Sequence, residues 1–451
     1  MLPVSRNVFQ KLGFIRTFTP DTSNQPMELP SPTIAMLGCF DTKAEVFARL
    51  REQLLVSGAQ VIGINAGIFG STDRFSVDVE ADYLASLAGT SIEALRKKNN
   101  RAHALERMAA GAAKLLRVLY EEGKISGVIG MGGGGGTYLL LKAMQVLPLG
   151  FPKVCLSTLA TRDVSHLVGV KDIVLIPSVV DMAGLNAIIR PLIDQAAAAI
   201  VAMAKVPEQK SDGVKGVVAI SMFGNTTDCV NACTRLLEQK GYEVMAFHAN
   251  GVGGKAMEAL IREGVFDAVM DLTTTELADE LCGGILSAGP DRLTAAIEGG
   301  IPCLLAPGCL DMVNFGMPDA VPEAYVNRLF YQWAPDVTLM RTNEQENFEL
   351  GRQIAEKLNQ SQAKESIRVL LPLRGFSQLD APGNHFYDQK CTAALKRAWE
   401  TYLDPGIEQM SLEAHINDMG FAGVAVDLLL DLLEKKQSGG SGSAGRFSTE
   451  S

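Results

Sequence analysis

The run Gly132-Gly133-Gly134-Gly135-Gly136 constrains this chain more than any other feature. It follows the apolar stretch Gly127-Val128-Ile129 and precedes Thr137-Tyr138-Leu139-Leu140-Leu141. That order reads as strand, glycine turn, helix, the joint from which α/β folds are built. Residues without a Cβ let the backbone take positive φ and approach a ligand closely. Amides of such a turn, with those of the first helical turn, form a cradle for an anion. No acidic residue stands between Lys124 and Arg162, so nothing nearby in sequence repels a phosphate.

The loop is not an ordinary P-loop, because Gly136-Thr137-Tyr138 stands where Gly-Lys-Ser/Thr is required. Gly130, Gly132 and Gly135 fit G-x-G-x-x-G, yet the acidic residue that would bind a ribose about 20 positions on is missing. A nucleotide or other phosphate therefore ranks above a nicotinamide cofactor.

Short apolar runs alternate with helical periodicity along most of the chain. Examples are Thr33–Leu37, Gln60–Ile64, Lys153–Leu156 and Ile173–Ile176, followed after residue 213 by 214–220, 242–247 and 266–271. The pattern predicts mainly parallel sheets covered on both faces. We read two Rossmann-like α/β subdomains, 33–206 and 214–436, joined by a polar linker at 207–213, with the ligand cleft at the carboxyl ends of the strands. The apolar runs at 301–305, 337–340 and 367–373 are assigned to the second subdomain's strands. Residues 66–100 are polar and rich in turns, and read as a lobe over the site.

Residues 1–32 form an N-terminal extension. Its first 20 residues hold Arg6, Lys11 and Arg16 and no acid, and resemble a mitochondrial presequence. The chain is expected in the cytoplasm, or in the mitochondrial matrix if that segment is a presequence. Residues 437–451 read as a flexible Gly/Ser tail.

The chain has 451 residues, a net charge of −10 and 47% hydrophobic residues. This charge argues against general affinity for nucleic acid or acidic membranes, and no apolar run is long enough for a membrane span. The eight cysteines include no CxxC and mostly lie in apolar runs, which reads as reduced and buried.

Several polar loops fall where strands should end. Asp41, Thr42 and Lys43 offer a carboxylate, a hydroxyl and a cation to a nucleotide, together with Gly132, Gly133, Gly134, Gly135, Gly136 and Thr137. Thr161 and Arg162 add a hydroxyl and a guanidinium. Asp41 and Asp181 are candidate metal contacts; helix capping explains either equally well. Gly253 and Gly254 start a helix and form a second candidate anion loop with Thr273, Thr274 and Thr275. His248 and His415 lie at strand ends and are candidate acid–base groups, with Asp418 beside His415; Asp380, in the separate polar loop 379–388, is a further candidate that turn formation explains as well.

These loops, including Pro177-Ser178-Val179-Val180-Asp181, Gly251-Val252-Gly253-Gly254, Thr273-Thr274-Thr275-Glu276 and Leu379-Asp380-Ala381-Pro382-Gly383, together resemble one family. It is the nucleotide-binding amino-terminal domain of the tomato mosaic virus resistance protein and its bacterial and fungal relatives. The resemblance covers about residues 33–435 and implies ATP-Mg binding by two Rossmann-like subdomains. It implies no settled reaction. Activity belonging to the plant protein's further barrel domain is not expected of this chain alone.

The leading expectation is an ATP- and Mg2+-binding protein, with a small organic acid as the molecule acted on if it is an enzyme. A protein-interaction module with a structural nucleotide is a second reading. A nucleotide-independent lyase or hydrolase using His248 or His415 is a third. A homo-oligomer is compatible with all three.

Overall fold

The computed structural model describes residues 31–207 and 213–440. The presequence reading, most of the expected linker and the end of the expected tail fall outside those residues. Two compact units divide the chain after Gln209.

The first unit is built on a five-stranded sheet of order β2-β1-β3-β4-β5. Its strands are β1 (Thr33–Gly38), β2 (Gln60–Asn65), β3 (Gly127–Gly132), β4 (Lys153–Ser157) and β5 (Val174–Pro177), and every pairing is parallel. The strands β1, β3 and β4 are buried almost throughout. That is why they read as continuous apolar runs and not as alternation.

Helices cover both faces. On one lie α1 (Phe40–Val56) and, later in the chain, a long alanine-rich helix (Ile189–Ala204); they pack Phe47, Leu50, Ile193 and Ile200 against Met36, Ile129 and Leu156. A bidentate pair from Arg49 to Asp194, at 2.9 and 2.8 Å, ties these two helices together. On the other face lie α2 (Ala81–Leu87), α3 (Ile92–Lys98), α4 (Arg101–Glu121) and α5 (Gly134–Met144). They bury Leu84, Leu95, Met108, Leu116 and Leu140 against Ala35, Leu37, Val128 and Cys155. The connection leaving β1 therefore goes to one face and the connection leaving β3 to the other. Neighbouring strands whose connections part in this way leave a crevice at their carboxyl ends.

Residues 66–100, read from sequence as an irregular lobe, contain the two helices α2 and α3. Ser91 caps α3 by accepting from Ala94 N, and Asn99 ends it in the left-handed region at φ 47°. Asn100 then caps α4 by accepting from His103 N. Consecutive stop and start signals let the chain turn sharply between the two helices.

The second unit has a six-stranded, wholly parallel sheet. Its order is β14-β13-β9-β8-β6-β7, with β6 at Val217–Met222, β7 at Glu243–His248, β8 at Ala268–Thr273, β9 at Cys303–Gly308, β13 at Ile367–Pro372 and β14 at Glu408–Leu412. A separate antiparallel sheet joins β10 (Met312–Phe315), β12 (Val337–Arg341) and β11 (Phe330–Ala334). The run 337–340, read as a strand of the second subdomain, thus belongs to this antiparallel sheet and not to the parallel one. The apolar run is the same, but Leu339 and Met340 are buried from a β-ribbon. The last helix, Met419–Gly440, runs past residue 437, where the tail was expected to begin.

An ionic cluster lies inside this unit. Arg292, fully buried, pairs with Asp271, Glu276 and Glu258, contacting Glu276 at 2.7 Å and Glu258 at 3.3 Å. One guanidinium faces three carboxylates, and backbone amides supply the rest of the neutralisation. Glu258 alone accepts from Leu293, Thr294 and Ala295. Removing one partner of a buried pair leaves charge without compensation. Arg292→Met is therefore expected to destabilise the second unit by about 3–5 kcal/mol in urea unfolding. A loss below about 1 kcal/mol would contradict this account of the cluster.

Candidate functional site

The crevice between β1 and β3 holds a cavity of about 470 Å³. Its floor is Met131 to Gly136, and its walls include Asp41, Thr42, Lys43, Phe69, Arg96 and Arg101. The glycine run enters this floor differently from the sequence expectation. None of Gly130 to Gly136 has positive φ, so the glycines do not serve handedness. Gly134, Gly135 and Gly136 are the first turn of α5. Their amides have no carbonyl beneath them in the helix, as at any helix N-terminus.

The glycines differ in what demands them. A Cβ on Gly132 would sit 2.6 Å from the Gly136 carbonyl carbon, so the tight turn requires glycine there. A Cβ on Gly134 would meet nothing within 4 Å, and one on Gly133 only Thr158 Oγ1 at 3.9 Å. No packing within the unit explains glycine at these two places. Gly133 is the N-cap, a position where glycine is favoured over alanine, whereas glycine inside the helix, as at Gly134, costs up to about 1 kcal/mol relative to alanine. What glycine does provide at 133 and 134 is open space directly above free amides.

Asp41 completes the cavity. Its Oδ2 accepts from Phe69 N at 3.0 Å, while Oδ1 is buried without a partner. A carboxylate oxygen in that state lacks a donor or a cation. Lys43 Nζ donates to Met182 O at 3.0 Å and lines the same cavity. Arg96 donates to Ile68 O, and Arg101 reaches to 3.0 Å from where a Cβ of Gly135 would be. Three cations thus stand against the one carboxylate in the lining. Cys39 also lines it, but burial, and then Asp41, push its thiol up to about 11, so it stays protonated and is no nucleophile.

Thr137 does not face the cavity. It is buried, donates to Gly132 O at 3.1 Å and shares a 2.6 Å hydrogen bond with Ser157 Oγ, so it braces α5 against β4. Thr161 and Asp181 line a different cavity, and Arg162 is exposed and lines neither. Asp41 and Asp181 therefore do not share one site. Among the described residues there is no group of three or more His, Cys, Asp or Glu placed to hold a metal ion.

In the second unit, the expected anion loop is filled by the chain itself. Glu276 Oε1 accepts from Gly251 N at 2.7 Å and Gly254 N at 3.1 Å, and Asn250 Oδ1 takes Gly253 N. Thr273, Thr274 and Thr275 direct their hydroxyls to Ser221 O, Ala306 O and Met312 O. The amides form a nest, as expected, but its anion is the carboxylate three residues after Thr273.

His415 is also committed. Its Nε2 donates to Ser377 O at 2.8 Å and its Nδ1 accepts from Asn417 N at 3.2 Å, so neither nitrogen is free for proton transfer. Asp418 accepts from His415 N and closes that turn. His248 is exposed, with its ring 5.1 Å from that of Phe223. Asp380 is buried, bonded to Arg341 at 3.1 Å and to Phe376 N at 2.9 Å. The fold brings Asp311 beside it: Ser377 Oγ donates to Asp311 Oδ2 at 2.7 Å and accepts from Asp380 N at 3.3 Å. Burial, and then Asp311, raise Asp380 to about 7; burial raises Asp311 as well. The Arg341 guanidinium, bonded to Asp380, opposes that rise without cancelling it, and the two carboxyls titrate as a coupled pair.

Models described as the N-terminal and C-terminal domains of an uncharacterised protein family (UPF0261) match residues 32–209 and 215–433. The chain belongs to the UPF0261 family. A UPF0261 protein of Clostridium tetani is 42% identical over 403 residues, covering 89% of this chain and 99% of its own length. A relative from Rhizobium meliloti is 40% identical over 403 residues, covering 88% and 98%. The tomato ToMV resistance protein Tm-1(GCR237) is 40% identical over 344 residues, which are 75% of this chain and 45% of the tomato protein. The resemblance read from the motifs is thereby shown. Among solved structures, the UDP-N-acetylglucosamine 2-epimerase of Rickettsia bellii is 10% identical, covers 92% of this chain and 99% of its own, and has a TM-score of 0.23. A likeness that low carries no argument about this UPF0261 member.

Sequence reading missed Phe69, Arg96 and Arg101 as cavity residues. The signal was the basic run Arg96-Lys97-Lys98-Asn99-Asn100-Arg101, two asparagines between cations, which marks a turn carrying positive charge. A pH prediction follows from the raised Asp380 carboxyl. Asp380 titrates higher when folded, about 7, than its ordinary 3.8. Its contribution to stability is full below about 3.8 and is lost as pH rises through about 7. The second unit should unfold more easily at pH 8 than at pH 5.5, by roughly 1–3 kcal/mol. In Asp380→Asn that difference should largely vanish; denaturant midpoints at the two pH values measure it, and an unchanged difference would refute the assignment.

Proposed function

We propose that residues 33–206 bind a nucleoside polyphosphate with magnesium, and that ATP is the nucleotide. The observation that carries this reading is the open space above Gly133 and Gly134, over amides with no acceptor of their own. The amides of Gly134, Gly135 and Gly136 take phosphate oxygens, and Lys43, Arg96 and Arg101 supply counter-charge. A charge-assisted hydrogen bond of this kind is worth about 1.5–3 kcal/mol. Asp41 Oδ1, unpartnered and in the same cavity, is the metal contact. Magnesium commonly takes one or two carboxylates together with phosphate oxygens and water, so a single aspartate fits it. The exposed ring of Phe69 offers a face to the base. Bound magnesium would neutralise phosphate charge; the chain's own residues bind and orient the phosphates.

ATP is chosen on the family resemblance, and the phosphate on the geometry. Of the alternatives, the histidine-based lyase or hydrolase is weakened because both ring nitrogens of His415 are taken by the backbone. Gly133→Val tests the proposal without threatening the fold, since its Cβ has room and the residue lies in the extended region at φ −74° and ψ −163°. Calorimetric titration with ATP-Mg should show affinity at least tenfold lower, about 1.4 kcal/mol, with a nearly unchanged melting temperature. Equal affinity in the folded variant would refute it.

A further inference from the structure

A second cavity of about 530 Å³ opens at the carboxyl ends of β4 and β5. It adjoins the glycine turn: Thr158, in its lining, is the residue nearest the open side of Gly133, at 3.9 Å. Its polar side chains can all accept hydrogen bonds. Thr158 and Thr161 present hydroxyls, and Asp181 an exposed carboxylate whose Oδ1 accepts from Met182 N at 2.8 Å. The Ser157 hydroxyl is already engaged by Thr137 and Leu159 N. No lysine or arginine is in the lining. Lys43, which donates to Met182 O beside Asp181, lines the adjoining glycine cavity instead, so the charge in this lining is the Asp181 carboxylate. A donor with positive charge would meet a carboxylate and two hydroxyl acceptors.

One wall is held in an uncommon conformation. Val179 has φ 64°, and Val180 N donates to Ser178 O at 2.6 Å across it, closing a three-residue turn. Ser178 Oγ also donates to Val180 O at 2.7 Å. The side chain of Val179 is 75% exposed, so no core packing requires a β-branched residue in this region of backbone space. The turn sets Val179 and Val180 as an apolar wall and leaves Asp181 at the rim. Strained backbone of this kind concentrates where a ligand is gripped.

We propose that this second cavity binds a small protonated amine or amino alcohol, with the ammonium on Asp181, a hydroxyl between Thr158 and Thr161, and the carbon skeleton on Val179 and Val180. That the amine lies beside the polyphosphate end of a nucleotide rests on the function proposed above; binding of the amine itself does not.

Ethanolamine is the probe, glycerol the uncharged control and acetate the anionic one, each titrated by saturation-transfer difference NMR into the full chain. Ethanolamine should bind wild type at least fivefold more tightly than glycerol, and acetate should give no saturable signal. Asp181→Asn, at an exposed position that leaves the fold intact, should weaken ethanolamine at least fivefold while ATP-Mg titrates as in wild type. Absence of ethanolamine binding, saturable acetate binding, or unchanged ethanolamine affinity in Asp181→Asn would each overturn the proposal. Failure of ATP-Mg to bind wild type would sink the nucleotide reading and leave the amine result standing.

Discussion

The parting of connections between β1 and β3 is the constraint on which the first unit's chemistry depends. Parallel strands need crossover connections, and a sheet buried on both faces needs helices on both sides. Where α1 leaves β1 for one face and α5 follows β3 to the other, a crevice opens at the strand ends. The crevice is a consequence of topology before any residue is chosen for it. The residues then decide what it takes. Glycine at 133 and 134 keeps it open to the amides of α5, and cations arriving from the turn between α3 and α4 give it its sign.

The second unit has the same topological opportunity between β6 and β8, but its glycine nest opens the helix after β7, the edge strand beside β6. Its glycine nest is occupied by Glu276, and Arg292 holds Glu276 together with Asp271 and Glu258. A Cβ on Gly254 would lie 2.3 Å from a Glu276 carboxylate oxygen, so glycine there admits the chain's own anion. Two glycine-rich helix starts, alike in sequence, thus have opposite availability. The deciding residue is a glutamate brought in from the following strand–helix joint.

That contrast explains what was legible in the sequence. Continuous apolar runs such as Gly127-Val128-Ile129 and Lys153–Leu156 announced buried parallel strands, and Leu105, Met108, Ala112, Leu115, Leu116 and Leu119 carried the helical periodicity of the long helix that the structure places at Arg101–Glu121. The strand at 337–341 carried the same apolar signal as its parallel neighbours, and nothing local distinguishes a ribbon from a core strand. Asp41, Lys43 and the glycine run were legible as one site because each follows a strand of the same sheet. Thr137 was misread because a hydroxyl beside a glycine turn has no sequence mark of the direction it points. Arg96 and Arg101 were missed because their position depends on a left-handed Asn99 joining two helices. The pairing of Asp311 with Asp380 joins residues far apart in the chain and had no local sign at all.

The central claim concerns the availability of a few main-chain amides, and those amides are directly observable. Backbone amide NMR of the chain labelled with 15N-glycine, recorded as ATP-Mg is added, reads each glycine nest separately. The account predicts saturable shifts at Gly133, Gly134, Gly135 and Gly136, with Gly251, Gly253 and Gly254 unmoved. Shifts confined to the second set, or none at the first under saturating nucleotide, would contradict it.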